Sequence, residues 1–588
     1  MFYSHREGSP IWIYPPLDPA IQEWTDEIVR EFNVHPVIAQ VLSSRGFASI
    51  KAINNYLYAK LPDLYKPELF TDMDKAVNRI IHALDTGEGI LVYGDNDVDG
   101  MTGTALLTDF LQAIGANVHF YVPNRNVPGQ SLLLKALEYG MASKCRLLIT
   151  VDCGITAAQE VQKVSTCGLD VIITDHHEPT GKFSHCIATL NPKLLSNAYP
   201  YNELTGVGVA FKLAHAVTNH LTSSHPHIAD KIDLKLYLDL VALGTIADMG
   251  PLLEENRILV RYGLEELRKA YRVGLAKLFS VCELDLKTLS PADIASKVAP
   301  RLNSLGRIAD PKKGVELLLL KDPEQAAILA KELDLNNIQR QKIDQLMSED
   351  VEATIKAHPE ILEGKAIVMS SSKWHPGIIA IITARIAKLY NRPTVMIAIG
   401  HGIGKGSMRT IPEFPLLPML KENANLLMNF GGHDFAAGLM IEEKNIELFR
   451  EKFLTKANAI LRDNDVVSKL YVDAEAQFNQ LTFDFMESLA LLAPHGNENP
   501  APILYCDARQ VWLPKVIGKF HMKLYLEQGD RLLEGIAFGM ADRRDELRKK
   551  DLLLRIAYTP QINTFQNKIS IQLIIKDFKV LSEEGPAP

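Results

Sequence analysis

Short apolar runs alternate with helix-like stretches between residues 89 and 190, and this pattern constrains the fold more than any other feature. The runs read GILVYG, RLLITV, DVIIT and CIATL, and nearly all of their residues are apolar. Strands that are apolar on both faces are typical of a parallel sheet with helices on both sides. The stretches between them, such as GTALLTDFLQAIG and AAQEVQKVSTCG, have helical spacing of apolar residues. The pattern therefore predicts an α/β domain built on a parallel, doubly wound sheet.

Acidic residues follow the ends of these runs, and a histidine pair accompanies one of them. The last position closes LVALGTIAD, an apolar run that we also interpret as a strand. In open parallel sheets, the crevice at the carboxyl ends of the strands binds ligands, so side chains distant in sequence should meet there. The positions are Asp95, Asp97, Asp99, Asp152, Asp175, His176, His177 and Asp248.

Carboxylates with one or two imidazoles suit Mn²⁺ or Mg²⁺ better than the thiolate-preferring zinc sites. So many carboxylates at one place would repel one another, and a pair of divalent cations would offset that repulsion. Two such ions can activate water and stabilise both oxygens of a phosphoryl displacement. An EF-hand also begins Asp-x-Asp-x-Asp-Gly, but its twelfth position needs Glu and is Leu106 here. A single Asp after a strand can instead be a helix N-cap, which is the simpler interpretation of Asp152 or Asp248 taken alone.

The remainder of the chain predicts further domains. The run from 318 to 357 contains one Pro and no Gly, which predicts a helix from about 323 to 356, roughly 50 Å long. The alternative is two helices with a polar turn near Asn336 and Asn337. A second α/β unit follows, and five β-rich runs near the end predict a small barrel. The predicted domains are a helical segment 1–65, a metal-binding domain 66–317, a connector helix 318–357, a second α/β domain 358–465 and a barrel 466–588.

Charge and composition exclude several classes of protein. The 588 residues carry a net charge of −8, so any nucleic-acid site must be a local basic patch. Residues 508–580 contain 14 Lys and Arg against 8 Asp and Glu, which suits a single-strand-binding barrel with Phe520 and Tyr525 as stacking candidates. The six cysteines lack CxxC spacing, and neither a secretory signal nor an 18-residue apolar run is evident. We therefore expect a soluble cytoplasmic protein without a membrane span.

Several motifs resemble those of a known family. TDHHEP contains the Asp-His-His tripeptide of the DHH phosphoesterase superfamily, and YGDNDVDGMTGTALL, VDCGIT and LGTIADMGPL resemble its companion motifs in the same order. APRLNSLGRI resembles a motif of the bacterial RecJ family of single-strand-specific exonucleases. KWHPGIIAIITARI, GSMRTI and FGGHDFAAGL resemble the DHHA1 domain of that family, and APHGNENPAP with the following β region resembles its oligonucleotide-binding (OB-fold) barrel. The resemblance extends over roughly residues 40–580.

The resemblance implies roles for individual residues. His177 would lie near the scissile phosphate or orient the metal ligands, and Asp152 would bridge two ions. Asp97, His176, His177 and Arg301 would form the catalytic set. The implied metal ligands are Asp95, Asp97, Asp152, His176 and Asp248. The implied phosphate contacts are Arg301, Asn303 and Arg307 at the scissile phosphate, Arg125, Ser407 and Arg409 at the terminal 5′ phosphate, and His375 and His433 facing the cleft. The Gly-rich run GHGIGKGSMRTI would also let backbone N–H groups approach a phosphate.

The implied activity is a 5′-to-3′ exonuclease that is specific for single-stranded DNA. It would release 5′ mononucleotides with two Mn²⁺ or Mg²⁺ ions, in DNA repair and recombination. A monomer, and partners such as a single-strand-binding protein and a RecQ-type helicase, are implied by the family alone. One alternative is a DHH-superfamily phosphodiesterase acting on short oligoribonucleotides or cyclic dinucleotides. Another is a non-catalytic single-strand-binding replication factor.

Overall fold

The computed structural model describes residues 9–16, 18–124, 132–179, 186–565 and 568–581. These residues form two compact units. The first unit comprises residues 54–339 and 492–501, and the second comprises the remainder of the chain. No helix among the described residues is both long enough and apolar enough to cross a bilayer.

The first unit contains a five-stranded sheet in which every pair of neighbouring strands is parallel. The predicted parallel sheet and α/β fold class are therefore confirmed. The strand Asn117–Tyr121 was not predicted; it lies at one edge of the sheet and is only partly buried. In spatial order the strands are Asn117–Tyr121, Gly89–Gly94, Cys145–Val151, Asp170–Thr174 and Ala188–Leu190.

Helices surround this sheet and supply most of the core of the first unit. They are Met73–Thr86, Val98–Ala113, Leu132–Ala142, Ala158–Thr166, Gly206–Ser224, Pro226–Ala229, Leu238–Ala247, Glu254–Lys269, Val273–Val281, Pro291–Asp293, Ala299–Ile308 and Lys312–Leu319.

The prediction of a strand before Asp248 is wrong, because Leu238–Ala247 is a helix and Asp248 is its C-cap. Nearly every residue of this helix is buried. A helix that is buried on all sides has no polar face, so its sequence shows no helical period and resembles a buried strand.

One helix runs without interruption from Pro323 to Ala357. The prediction of a single long helix is confirmed, and the alternative with a turn near Asn336 and Asn337 is wrong.

The first 65 residues contain a strand and three α-helices among their described part. The helices Pro19–Phe32 and Pro36–Ser44, together with Ile50–Tyr58, confirm the helical character predicted for the first 65 residues. The strand Ile11–Ile13 was not predicted, and it pairs in parallel with Lys469–Tyr471. The indole N–H of Trp12 donates to the buried carboxylate of Asp577, 2.6 Å away, so this strand is tied to the end of the chain.

A second five-stranded sheet lies in residues 367–442 of the second unit. In this sheet the strands Ile367–Ser371 and Thr394–Gly400 pair in parallel, and all other neighbouring strands pair antiparallel. Three helices, Ile379–Tyr390, Leu416–Glu422 and Ile446–Ile460, accompany it. The spatial order is Leu427–Gly432, Ala436–Glu442, Ile403–Arg409, Thr394–Gly400 and Ile367–Ser371.

The last sheet forms the predicted barrel and follows the helix Phe483–Ala490. The ring closes where Arg509 and Gln510 pair with Glu527 and Leu526 on an otherwise distant strand. The five strands of the ring are Leu504–Gln510, Leu553–Phe565, Lys568–Val580, Arg531–Ala537 and His521–Gln528. Short strands Ala474–Glu475 and Lys515–Ile517 lie at its margins.

Candidate metal centre

Asp95 and Asp97 lie in the turn between the strand Gly89–Gly94 and the helix Val98–Ala113. Asp97 is the N-cap of that helix, and its Oδ1 accepts the backbone N–H of Gly100 at 3.0 Å. A Cβ on Gly100 would lie 2.6 Å from the carbonyl oxygen of Asp95, so only glycine permits this turn. The tight turn therefore places two carboxylates at the carboxyl edge of the sheet.

Asp152 follows the central strand Cys145–Val151 in a left-handed backbone conformation, with φ of +61°. Its backbone N–H donates to the carbonyl of Thr174 on the next strand at 2.9 Å. The helix Gly206–Ser224 begins against its side chain, and a Cβ on Gly206 would lie 2.5 Å from the Cβ of Asp152. Asp152 is only 1% exposed, so the chain holds a carboxylate in the interior of the unit.

Asp175 organises the histidine pair that follows the strand Asp170–Thr174. Its Oδ1 accepts the backbone N–H groups of His176 and His177 at 2.7 and 3.1 Å and lies 2.7 Å from Nδ1 of His177. Its Oδ2 accepts the backbone N–H of Ile155 at 2.9 Å. Burial alone would raise the pKa of Asp175, but the interactions with His177 and the backbone hold that pKa below its ordinary value. Burial alone would lower the pKa of His177, but Asp175 raises it to about 9.

His176 lies where the acidic residues from separate elements meet. Its Nε2 is 3.1 Å from Oδ1 of Asp152, 3.7 Å from Oδ2 of Asp248 and 3.9 Å from Oδ2 of Asp99. Donor atoms of the cluster fall into three groups, and within each group they all lie within 4.8 Å of one another. The groups are Asp95 with Asp97 and Asp152, Asp152 with His176 and His177, and Asp99 with His176 and Asp248.

The crowding of carboxylates has a direct electrostatic consequence. Burial, together with the neighbouring carboxylates, raises the pKa of Asp99 and that of Asp152 well above the ordinary value. Burial, followed by the charge of Asp97, raises the pKa of Asp248 to about 7. A cation placed among these groups would favour their ionised forms.

The donor set fits divalent cations that prefer oxygen. Among the described residues, Oδ1 of Asp152 accepts no hydrogen bond, although it is buried and 3.1 Å from Nε2 of His176. Burying a carboxylate oxygen without a hydrogen-bond donor costs free energy unless a positively charged group contacts that oxygen. Carboxylates with one or two imidazoles suit Mn²⁺ or Mg²⁺. The residues present therefore fit such an ion at Asp152.

Comparison with protein families matches three segments of the chain. Residues 89–245 match "DHH family, N-terminal domain", residues 363–461 match "DHHA1 domain", and residues 472–577 match "RecJ OB domain". The single-stranded-DNA-specific exonuclease RecJ of Bacillus subtilis (strain 168) is 33% identical over 95% of this chain and 70% of its own length. The chain belongs to the RecJ family. The RecJ of Escherichia coli (strain K12) is 32% identical over 92% of this chain and 95% of its own length.

The fold agrees with that of a RecJ of known structure. The crystal structure of RecJ from Thermus thermophilus in complex with Mn²⁺ has a TM-score of 0.80 and 28% sequence identity. The match covers 98% of this chain and 81% of the Thermus chain. A second structure of the same protein, in complex with Mg²⁺, has a TM-score of 0.73.

Asp99 belongs to the cluster of this RecJ family member; it was predicted to lie at this edge of the sheet but was not among the predicted metal ligands. Its two carboxylate oxygens accept the backbone N–H groups of Gly206 and Val207 at 2.6 and 2.9 Å, at the start of the helix Gly206–Ser224. The signal was present in the alternating acidic residues of DNDVDG, which begin a helix. The sequence alone did not show that Asp99 lies 3.9 Å from Nε2 of His176, because that contact depends on how separate elements pack.

The three predicted scissile-phosphate contacts lie on the helix Ala299–Ile308. Oδ1 of Asn303 accepts the backbone N–H of Val98 at 3.2 Å, which places Asn303 beside the turn that carries Asp97. Arg301 instead donates from Nε to Oδ1 of Asp334 at 2.9 Å and from Nη1 to the carbonyl of Lys297 at 2.7 Å. Arg307 is half-buried on the same helix. The structure thus brings Asn303 to the acidic turn and holds Arg301 in an ion pair.

The remaining predicted contacts lie in the second unit, except Arg125, which lies outside the described residues. Ser407 is buried within the strand Ile403–Arg409, and Arg409 ends that strand. His375 precedes the helix Ile379–Tyr390, and its Nδ1 accepts the backbone N–H of Gly377 at 3.1 Å. His433 lies in the turn between two antiparallel strands and its backbone N–H donates to the carbonyl of Ala436 at 2.8 Å.

The structure does not favour the expected approach of a phosphate to backbone N–H groups within the Gly-rich run 400–411. Residues 403–409 form a strand paired on both sides, so its backbone N–H groups belong to the sheet ladders. The glycines of this strand instead accommodate neighbours, since a Cβ on Gly404 would lie 2.6 Å from Cγ2 of Ile397. Side chains alternate between the faces of a strand, so Lys405, Ser407 and Arg409 share one face. Any phosphate site here would therefore depend on side chains.

Proposed function

We propose that this RecJ family member is a metal-dependent exonuclease that removes mononucleotides from the 5′ end of single-stranded DNA. One observation carries the proposal: carboxylates and imidazoles from separate elements converge within 4.8 Å in three overlapping groups. The relatives at 33% and 32% identity are single-stranded-DNA-specific exonucleases, and the matched Thermus structures are complexes with Mn²⁺ and Mg²⁺.

The residues that would hold the ions are those whose donor atoms cluster. Asp152 and His176 each belong to two of the three groups, which supports Asp152 as the residue shared by two ions. When bound, a pair of divalent cations supplies an activated water and stabilises the oxygens of phosphodiester displacement. The proposed ligands are Asp95, Asp97, Asp152, His176 and Asp248.

The chain's own residues would orient the substrate and its attacking water. The contact between Asp175 and Nδ1 fixes the ring of His177, and we assign His177 to the scissile phosphate. Asn303 holds the start of the helix after Asp97 and would contact the same phosphate with its amide group. Arg301 and Arg307 would bind phosphate oxygens, since a guanidinium can donate two parallel hydrogen bonds to them. For Arg301 this requires a phosphate to replace Asp334 as its partner.

The second unit would bind the 5′ end. Lys405, Ser407 and Arg409 share one face of a strand. Ser407 pairs with Gly438 on the next strand, and Gly438 pairs with Gly431 on the strand after that. A Cβ on Gly431 would meet no atom within 4 Å, so a ligand can approach the backbone there. We assign Ser407 and Arg409, with Arg125, to the terminal 5′ phosphate, and His375 and His433 to the substrate side of this domain.

The barrel would capture the strand beyond the site of cleavage. The ring of Tyr525 packs edge-on against Trp512 at 4.8 Å, and Nζ of Lys523 lies 5.2 Å from the Tyr525 ring centre. Trp512 is 47% exposed. An aromatic surface beside a cation suits stacking of bases and contact with the phosphate backbone. Phe520, in the turn before the strand of Tyr525, is a further stacking candidate.

The wider setting follows from the family alone. A RecQ-type helicase would supply single strands, and a single-strand-binding protein would present them, to a monomeric enzyme in the cytoplasm. DNA repair and recombination are processes that consume such strands.

A substrate panel tests the proposal. We would offer 5′-phosphorylated single-stranded DNA labelled at the 3′ end, the corresponding duplex, single-stranded RNA and pyrophosphate, each with Mn²⁺ or Mg²⁺. Mononucleotides should appear from the 5′ end of the single-stranded DNA, while Asp97→Ala and His176→Ala should abolish cleavage and remain folded. Equal cleavage of duplex, products from the 3′ end, or faster hydrolysis of RNA or pyrophosphate would refute the assignment.

A further inference from the structure

Residues 492–501 belong to the first unit, although the residues on both sides of this segment belong to the second. The segment reads LAPHGNENPA and lies between the helix Phe483–Ala490 and the barrel strand Leu504–Gln510. No role follows for it from the proposed chemistry, yet it contacts the residues next to Asp248.

Asn499 anchors the segment. It is 1% exposed, and its Oδ1 accepts the hydroxyl of Tyr56 at 2.7 Å. Its Nδ2 donates to the carbonyls of Leu492 and Pro494 at 3.0 and 2.8 Å. The guanidinium of Arg257 lies over the Tyr56 ring at 3.9 Å and donates to the same Leu492 carbonyl at 3.1 Å. The fold of the segment therefore depends on buried contacts that do not involve its exposed tip.

That tip contains Asn497, which contacts the turn after Asp248 at two points. Its Nδ2 donates to the carbonyl of Met249 at 2.6 Å. Its own carbonyl accepts the backbone N–H of Leu252 at 2.9 Å. The two hydrogen bonds bracket residues 249–252 and fix the chain that follows Asp248.

The turn itself needs such support. The N–H groups of Met249 and Gly250 donate to the carbonyls of Ile246 and Thr245 at 3.2 and 2.9 Å, which is the Schellman pattern with Asp248 as C-cap. In that pattern the residue after the cap is left-handed and is most often glycine. Here it is Met249, with φ of +59°, a conformation that a residue with a Cβ rarely adopts.

We propose that Asn497 is a positioning residue for the metal centre, because its hydrogen bond to Met249 holds the strained turn that orients the carboxylate of Asp248. This role rests on the proposed function, since it takes Asp248 to be a metal ligand. Groups that orient metal ligands commonly affect metal affinity by about 10- to 100-fold. The Asn497 bond is exposed to solvent, so we expect the lower end of that range.

The test uses the full chain and the variants Asn497→Ala and Glu498→Ala. Glu498 is the matched control, since it is adjacent, exposed, and makes no side-chain hydrogen bond or ion pair that the described part of the chain records. Isothermal titration with Mn²⁺ should show roughly tenfold weaker binding for Asn497→Ala and unchanged binding for Glu498→Ala. Cleavage by Asn497→Ala should need more Mn²⁺ but should recover at saturating Mn²⁺. Mn²⁺ affinity within twofold of the parent would overturn the inference.

A second variant separates positioning from general loss of structure. Met249→Gly relieves the left-handed conformation, so the double variant Asn497→Ala with Met249→Gly should bind Mn²⁺ more tightly than Asn497→Ala alone. A double variant as weak as Asn497→Ala would contradict the role of the strained turn. Asp248→Asn distinguishes the two proposals. If Asp248→Asn keeps parental Mn²⁺ affinity, the ligand assignment fails. If Asp248→Asn loses Mn²⁺ affinity and Asn497→Ala does not, only the positioning role of Asn497 fails.

Discussion

The charge of Asp248 in the metal-free protein leads to a quantitative prediction. Burial and the neighbouring Asp97 raise the pKa of Asp248 from 3.8 to about 7. Above that pH the ionised side chain therefore destabilises the folded protein when no cation is bound. Asp248→Asn preserves the size of the side chain and removes its charge, so in EDTA at pH 8 the variant should be more stable than the parent.

The magnitude follows from the two pKa values. A tenfold change in proton affinity corresponds to about 1.4 kcal/mol. The difference between a pKa of 3.8 and a pKa of about 7 therefore corresponds to a free energy of about 4 kcal/mol. The Asp248 side chain is 31% exposed, so solvent screens part of this electrostatic energy. We therefore expect Asp248→Asn to raise the free energy of unfolding by about 2 kcal/mol. For a unit of this size that corresponds to an increase in melting temperature of roughly 3 °C.

The pH dependence has a definite sign. The folded state binds the Asp248 proton more tightly than the unfolded state, so the parent loses stability as the pH rises from about 4 to about 7. The asparagine variant lacks this loss. The difference between variant and parent should therefore be small near pH 4, increase up to pH 7, and remain constant above it.

Thermal unfolding in EDTA at pH 5 and pH 8, and again with Mn²⁺, is the assay. With Mn²⁺ the order should reverse, because only the parent retains all its ligands. Asp230→Asn, an exposed carboxylate elsewhere in the unit, is the control and should change stability by at most about 0.5 kcal/mol. A variant less stable than the parent in EDTA at pH 8 would refute the electrostatic reasoning.

Three further predictions concern other parts of the site. Mn²⁺ at 100 times its dissociation constant should stabilise the parent by about 2.7 kcal/mol, and Asp152→Asn should abolish this gain in a thermal shift measurement. Arg301→Ala should lower kcat/KM for single-stranded DNA at least tenfold, whereas Asp334→Ala should change it less than threefold; equal losses would indicate that the ion pair is only structural. Tyr525→Ala should raise KM for long strands by about 5- to 100-fold with little change for dinucleotides, and an equal change for both lengths would contradict a stacking role.

Much of the first unit could be predicted because its strands are buried on both faces and their ends carry polar residues. Most residues of Gly89–Gly94, Cys145–Val151 and Asp170–Thr174 are apolar. The helix Leu238–Ala247 has the same apolar character, and the absence of a polar face made it resemble a strand. The strand Ile403–Arg409 was not predicted, because its glycines are untypical of a central strand, which it is.

The sequence by itself determined most strands of the parallel sheet, the polar residues at their ends and the donor types available to a metal, because these depend on local pattern and residue chemistry. The tertiary structure decided which donors meet. It placed Asp99 and Asp248 beside His176, engaged Arg301 with Asp334, and brought Asn497 to the turn after Asp248. Asn497 and Met249 are 248 positions apart, and the energy of such a contact depends on packing between distant segments. Local sequence patterns do not predict a contact between segments so far apart, so only the folded structure shows how Asp248 is held.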